Sequence, residues 1–301
     1  MRISTAQLFQ QRVSAMLDQQ VRLSRTEQQL ATGKRILSAS DDPAASLRDL
    51  QLGDRVAQTS QFQKNVDTAT SRLSLEEGVL ASSVNLLQRV RELAVQSNNG
   101  SLNASDLRAI ETEVRESLDD LLHIANSQDA NGEYLFAGYR VDTEAFTHDG
   151  LGNITYNGDQ GQRHLQVSST RQIAVSDHGA GVFMGVPAAA GGVTSTFDIL
   201  YDFAEALHNG TTSNETIPDI DSAMNSLLDT RAEVGARLRA VDGQREMNES
   251  MSLLLEQERS ALTDLDYAEA ISRFNQQLLA FQASQQVFSK VQGLSLFDYL
   301  G

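Results

Sequence analysis

Cysteine and tryptophan are absent from the 301 residues, and only three prolines occur. Without cysteine there can be no disulfide, no thiolate chemistry and no Cys-ligated zinc. The prolines, Pro43, Pro187 and Pro218, fall at element boundaries or in loops, so long helices are free to run. Positive charge is also scarce. The 24 basic residues face 40 acidic ones, a formal net charge of −16 at pH 7. That balance argues against nucleic acid and anionic membrane surfaces as partners. No stretch approaches the ~20 apolar residues needed to span a bilayer, so no membrane insertion is expected. The opening MRISTAQLFQQRV lacks the apolar core of a Sec signal peptide. If the chain leaves the cell, the expected route uses no cleaved signal. The length allows roughly two domains.

Helical periodicity is what the sequence does have. Phe9, Val13, Met16, Leu23 and Leu30 step by threes, fours and sevens, a stripe of heptad type with Gln20 and Glu27 at intervening positions. Gly33 is a natural stop, since glycine reaches positive φ without a Cβ clash. Lys34 and Arg35 follow where cations suit a helix C-terminus. A new helix is expected at once, with Asp42 as its cap and Pro43 as its first residue. Its stripe runs through Phe62, Val66, Ala69, Leu73, Leu80, Val84, Leu87 and Ala94 to the turn Asn98-Asn99-Gly100-Ser101. Leu107, Ile110, Val114, Leu118, Leu121 and Ala125 mark a third helix, closed at Asn131-Gly132.

The texture then changes. Ile154/Tyr156, Leu165/Val167 and Ile173/Val175 alternate with period two, and Asn157-Gly158 is a turn signal. This predicts a small β-rich insert, with PAAAGGVTST (187–196) as a loop. Helix returns at TFDILYDFAEALHNG, capped by Thr196 and stopped by Gly210. One very long helix follows from Ile217. A last stripe holds Tyr267, Ile271, Phe274, Leu278, Phe281 and Phe288 and stops at Gly293. Between Phe274 and Gln292 the only charged residue is Lys290. A helix with so few charges on its polar face is surrounded by other protein or buried within its own chain; the pattern fits both.

The expected fold class is mainly α with a small β-rich insert. The N- and C-terminal segments form a long antiparallel helical bundle or coiled coil. Three parts are expected: residues 1–45 with 262–301, residues 46–136 with 197–261, and the insert 137–196.

Several motifs of chemistry fail on inspection. A phosphate loop ending at Gly33-Lys34 would need glycine at Gln28 and a hydroxyl at Arg35. Gly179, Gly181 and Gly185 are spaced one residue too long for a dinucleotide fingerprint and read as turn glycines. Asn153 to His164 lacks the glutamate of a calcium loop, and a hairpin turn is the simpler reading. The five histidines show no metal-ligand spacing, and there is no G-x-S-x-G elbow. Asp119/Asp120 and Glu76/Glu77 read as solvated helix faces. No catalytic residue, metal ligand or cofactor is expected. An enzyme on a helical scaffold, with its active site in the insert, would require a pocket of convergent polar groups.

LATGKRILSASDDPAAS (30–46) resembles the flagellin-family signature, in which one helix ends at a glycine and an Asp-containing segment starts the next. The resemblance continues through 62–100, RAEVGARLRAVDGQ (231–244) and 267–292. SDDPAA carries proline where flagellins usually have alanine. IANSQDANGEYLFAGYRVDTEAF (124–146) and ITYNGDQGQRHLQV are similar to the hook-associated protein 3 group of that family, with NGEYLFAG the most specific run. The resemblance implies a structural protein at the junction of flagellar hook and filament. It implies export, unfolded, through the flagellar type III apparatus after a cytoplasmic chaperone has held the chain. It implies a ring of copies between the first hook-associated protein and flagellin. The alternative within the family is a minor flagellin, a filament subunit. In either case Phe9, Val13, Met16, Leu23, Leu30, Ile271, Phe274, Leu278, Phe281 and Phe288 are the expected assembly seam. Gly33, Asp41, Asp42 and Pro43 are the expected joint.

Overall fold

A computed structural model describes residues 2–99, 102–149 and 152–300, with side chains described at 7, 9–99, 102–149 and 152–290. Its helices are α1 (Arg2–Thr32), α2 (Pro43–Ser97), α3 (Ala104–Ala125), α4 (Gly179–Phe183), α5 (Thr196–His208), α6 (Thr216–Thr263) and α7 (Tyr267–Leu300). Between α3 and α5 lie three antiparallel two-stranded ladders. These are β1 (Phe146–His148) with β2 (Ile154–Tyr156), β3 (His164–Gln166) with β4 (Gln172–Ala174), and β5 (Val186–Pro187) with β6 (Val193–Thr194). Mainly helical structure with a small β-rich insert is the observed class.

The chain falls into two compact units: residues 1–58 with 251–301, and residues 59–250. In the second unit the stripes of α2 and α3 do what their spacing predicts. Val66, Ala69, Leu73, Leu80, Val84, Leu87 and Ala94 are buried, as are Ile110, Val114, Leu118, Leu121 and Ala125. Polar cross-links set the helix pairing. Asp67 meets Arg245, Glu77 meets Arg231 and Arg91 meets Asp221, so this part of α2 runs antiparallel to α6. Likewise Glu111 and Arg115 of α3 meet His208 and Glu205 of α5.

The NGEYLFAG run seats the insert. Gly132 and Gly138 take φ +81° and +70°, and the Asp159 carboxylate stands where a Cβ on Gly138 would go. Leu135, Phe136 and Ala137 between them are buried. Phe136, Phe146, Phe183 and Phe197 pack as rings 5.1–5.8 Å apart, edge-on or tilted, the geometry aromatic quadrupoles favour. The Tyr156 hydroxyl lies 2.9 Å from the Phe136 carbonyl oxygen, and burial pushes its pKa up to about 12. Arg72 of α2 ties the same region down through Asp129 and Glu133, and Arg163 shares Glu133.

Several boundaries differ from expectation. α1 begins by Arg2, ahead of the apolar stripe, and α7 runs through Gly293 to Leu300. A glycine inside a helix costs only about 1 kcal/mol, which the rest of the helix offsets. Ser195, not Thr196, caps α5: its hydroxyl accepts the Asp198 N–H at 2.9 Å, while Thr196 is the first helical residue and fully buried. PAAAGGVTST is not a plain loop, because Pro187 pairs with Val193 across Gly191 and Gly192, both at φ +93°. Gly179 opens the short helix α4 instead of a turn, with the Phe146 ring against its α-carbon. Asn157-Gly158 follows β2 and joins no hairpin; the Asn157 N–H bonds back to Ala145. Glu76 is no solvated residue: it is 2% exposed, whereas Glu77 pairs with Arg231 and Asp119 and Asp120 are exposed. The turn expected at 98–101 lies partly outside the described residues.

Candidate functional site

The first unit holds both the expected joint and the expected seam. α1 stops because Gly33 turns to φ +68°, its N–H still bonded to the Gln29 carbonyl at 2.9 Å. Here the chain crosses the α6–α7 connection. The Leu265 N–H bonds to the Gly33 carbonyl at 2.9 Å and the Arg35 N–H to the Thr263 carbonyl at 2.8 Å, a single antiparallel bridge between Lys34 and Asp264. Both breaks in the helical course are thus tied to each other by backbone.

Side chains complete the joint. Gln29, 7% exposed, donates to the Arg35 carbonyl at 2.6 Å. The Arg35 guanidinium donates to the Leu262 carbonyl at 2.9 Å, so it serves the end of α6 and not its own helix α1. Asp41 accepts the backbone N–H groups of Leu37 and Ser38 and pairs with Arg25 at 2.6 Å. Desolvation works to raise its pKa, but these bonds win and hold the carboxyl below its usual value. Asp42 caps α2, accepting the Ala45 N–H at 3.0 Å, and Pro43 is the first helical residue. Asp266 does the same for α7, accepting from Ala268 at 2.9 Å and Glu269 at 3.1 Å. Asp264, Leu265 and Asp266 escaped the sequence reading. Their signal was present: Asp266 followed three residues later by Glu269 is a capping-box pattern.

The seam is the contact of α1 with α7. The Phe9 and Phe288 rings pack tilted, with centroids 5.4 Å apart. Val13, Met16, Leu23, Leu30, Phe274, Leu278, Phe281 and Phe288 are half-buried, while Phe9 and Ile271 are 48% and 49% exposed. Gln20 and Glu27 do not interleave with this stripe; both are exposed. Gln19 and Thr26 take those places, and the Thr26 hydroxyl bonds to Gln277 at 2.8 Å. The best-buried seam residues of α1 are therefore polar, Thr26 at 3% and Gln29 at 7%. Leu17, Val21, Leu279 and Val287 are exposed beside the seam. The uncharged face of α7 is open as well: Asn275, Gln276, Gln282, Gln285 and Gln286 are all exposed, so burial within its own chain does not account for it.

Among the described residues no cluster of His, Cys, Asp or Glu could hold a metal ion, and no helix is long and apolar enough to cross a membrane. What the unit offers is a pair of long helices with an unfinished apolar seam, joined by a hydrogen-bonded backbone crossing.

The sequence matches the bacterial flagellin N-terminal helical region over residues 3–141 and the bacterial flagellin C-terminal helical region over residues 217–300. The chain belongs to the flagellin family. It is 30% identical to the flagellar hook-associated protein 3 of Escherichia coli K12, across 99% of both chains. It is 27% identical to the flagellin of Bacillus subtilis 168, across 87% of each. The crystal structure of the flagellar junction protein FlgL from Legionella pneumophila superposes with a TM-score of 0.63 at 21% identity, covering 72% of this chain and 99% of that one. Within the flagellin family, the chain sits with the hook-associated protein 3 relatives, which it matches end to end, insert included.

Proposed function

We propose that this protein is a structural junction component of the bacterial flagellum, assembled between the hook and the flagellin filament. The end-to-end match to hook-associated protein 3 carries the reading. Its partners are further copies of itself in a ring, the first hook-associated protein on the hook side and flagellin on the other. A cytoplasmic export chaperone holds the chain beforehand. It leaves the cell by the flagellar export route and acts outside the cell. It performs no catalysis and needs no cofactor.

The mechanism is folding coupled to assembly. An α1–α7 seam that leaves Phe9 and Ile271 half-exposed gains little by closing on itself, and ordering its helices costs roughly 1–2 kcal/mol per residue. Neighbouring subunits supply the missing burial. In this reading residues 1–45 with 262–301 form the inner coiled-coil part, 46–136 with 197–261 the helical core and 137–196 the outer insert. Gly33, Asp41, Asp42 and Pro43 set the joint between inner part and core. In the isolated monomer, 1–45 and 262–301 are therefore cleaved first by a protease. Protection of both ends in a chain shown to be monomeric would reject coupled folding.

The similarity to Bacillus subtilis flagellin favours a second reading, a minor filament subunit. Electron microscopy of a strain lacking the gene, with flagellin assayed in the medium, separates the two. Hooks without filaments and flagellin lost to the medium are expected for a junction. Attached filaments of normal length overturn it.

A further inference from the structure

In the second unit, two carboxyl groups are buried beside one guanidinium. Glu76 of α2 is 2% exposed; its Oε1 accepts the Asp177 backbone N–H at 3.2 Å, and its Oε2 is buried without a hydrogen-bond partner. Asp177, just before α4, has its carboxylate committed elsewhere. Its oxygens accept from both Arg237 amino groups at 2.8 and 2.9 Å and from the Gln162 amide at 2.9 Å. Arg237 of α6 also reaches the exposed Glu233 at 3.3 Å. Of the other charges near Glu76, Arg72, one turn earlier, gives its terminal amino group to Asp129 and Glu133 while its Nε is buried without a hydrogen-bond partner, and Glu77 pairs with Arg231. The neighbouring His178 caps α4 through its Nδ1.

The charges do not balance if both carboxyls are ionised. A second buried anion would face a single backbone N–H, and a buried charge so poorly paired is costly. A proton on one carboxyl removes the excess. The Asp177 carboxylate already accepts from both Arg237 amino groups and from Gln162, whereas Glu76 has no such partner, so the proton belongs on Glu76.

We propose that Glu76 is a proton-held latch: protonated, it lets the Asp177–Arg237 pair close over it and fixes the α4 segment of the insert to both long helices; ionised, it repels Asp177 and loosens that segment. Burial, then the charge of Asp177, push the carboxyl up to about 8 from the usual 4.5, and Arg237 offsets only part. The sign follows from linkage. Between 4.5 and about 8 the folded chain holds a proton that the unfolded chain has lost, so stability falls as pH rises across that window and levels off above it. The latch opens around pH 8. This inference is independent of the junction reading, since it concerns only contacts within one chain.

The test follows the Glu76 carboxyl by 13C NMR in the full chain, alongside amide hydrogen exchange at Asp177, Gly179 and Val182, in wild type and Glu76→Gln. The expected result is a Glu76 titration near 8. After correction for intrinsic exchange, protection at those amides should fall about tenfold more in wild type than in Glu76→Gln between pH 6.5 and 9.5. Asp177→Asn should move the Glu76 midpoint down. A Glu76 midpoint below 6, or parallel protection profiles in the two proteins, overturns the proposal. If Glu76→Gln does not fold, the wild-type titration and its shift in Asp177→Asn decide alone.

Discussion

Each of the two units takes part of α2 and part of α6, yet they treat charge and burial oppositely. The first carries 11 basic against 12 acidic residues; the second carries 13 against 28. The second unit therefore carries a net charge of −15 of the chain's −16. Its apolar stripes are sealed, with Val66, Leu73, Leu80, Leu87, Val114 and Leu121 at 0% exposure. In the first unit the stripe between α1 and α7 is half open. A closed core under a strongly acidic surface is self-sufficient and repels its own kind. A near-neutral pair of helices with an open seam is suited to being surrounded by other subunits.

The largest effect that could break this comparison is a cavity. Leu87→Ala in the second unit is expected to cost about 2–5 kcal/mol in denaturant unfolding, whereas Leu23→Ala in the seam should cost about 1 kcal/mol or less. Equal losses would mean that the seam is as settled in the monomer as the core, and the contrast between the units would fall.

The next effect concerns the joint. Gly33 sits at φ +68°, and a Cβ there would lie 2.8 Å from the Tyr267 hydroxyl. Tyr267 is 52% exposed and can swing away, so Gly33→Ala is expected to cost about 1–2 kcal/mol, from the left-handed backbone alone. Attachment of filaments should suffer more than that figure suggests, because the altered joint re-aims α1. Pro43→Ala should act in the same direction. Both variants melting well below wild type while supporting normal filaments would sink the idea of a joint.

Most of the fold was legible because heptad and period-two spacing survive in any context that buries one face. The start of α2 was legible residue by residue: Asp42 caps and Pro43 leads, as local sterics require. What was hidden depends on tertiary partners. The stripe itself marks Glu76, since Leu73, Glu76 and Leu80 step by three and four and put it, not Glu77, on the buried face; what was hidden is its partners, Asp177 and Arg237, some 100 and 160 residues further on. Arg35 looked like a cation for its own helix end and instead serves Leu262. The seam's polar members lie one residue earlier than the spacing predicts, Gln19 instead of Gln20 and Thr26 instead of Glu27. A stripe with few strongly apolar positions leaves its phase weakly defined.

The cap offers a smaller, local test. Asp42→Ala removes the bond to the Ala45 N–H and should cost about 1 kcal/mol, within the usual 0.5–2 for such residues. The loss belongs to the first unit, so amide exchange should rise in the opening turns of α2 and stay unchanged near Leu87. A uniform rise along α2 would show that the two units melt together and that their separate treatment is wrong.

The smallest effect sharpens the electrostatic half of the comparison. Arg91 and Asp221 form an ion pair at 2.6 Å, with side chains 44% and 42% exposed. Exposed pairs contribute about 0.2–1 kcal/mol and are screened by salt. Asp221→Asn should therefore lower the unfolding midpoint slightly in dilute buffer and hardly at all near 1 M salt. The substitution also removes one of the 28 negative charges of the second unit, which relieves repulsion and opposes the loss. If Asp221→Asn proves stabilising at low salt and neutral at high salt, the acidic excess outweighs the pair. The surface of the second unit would then be held under electrostatic strain that the near-neutral first unit does not share.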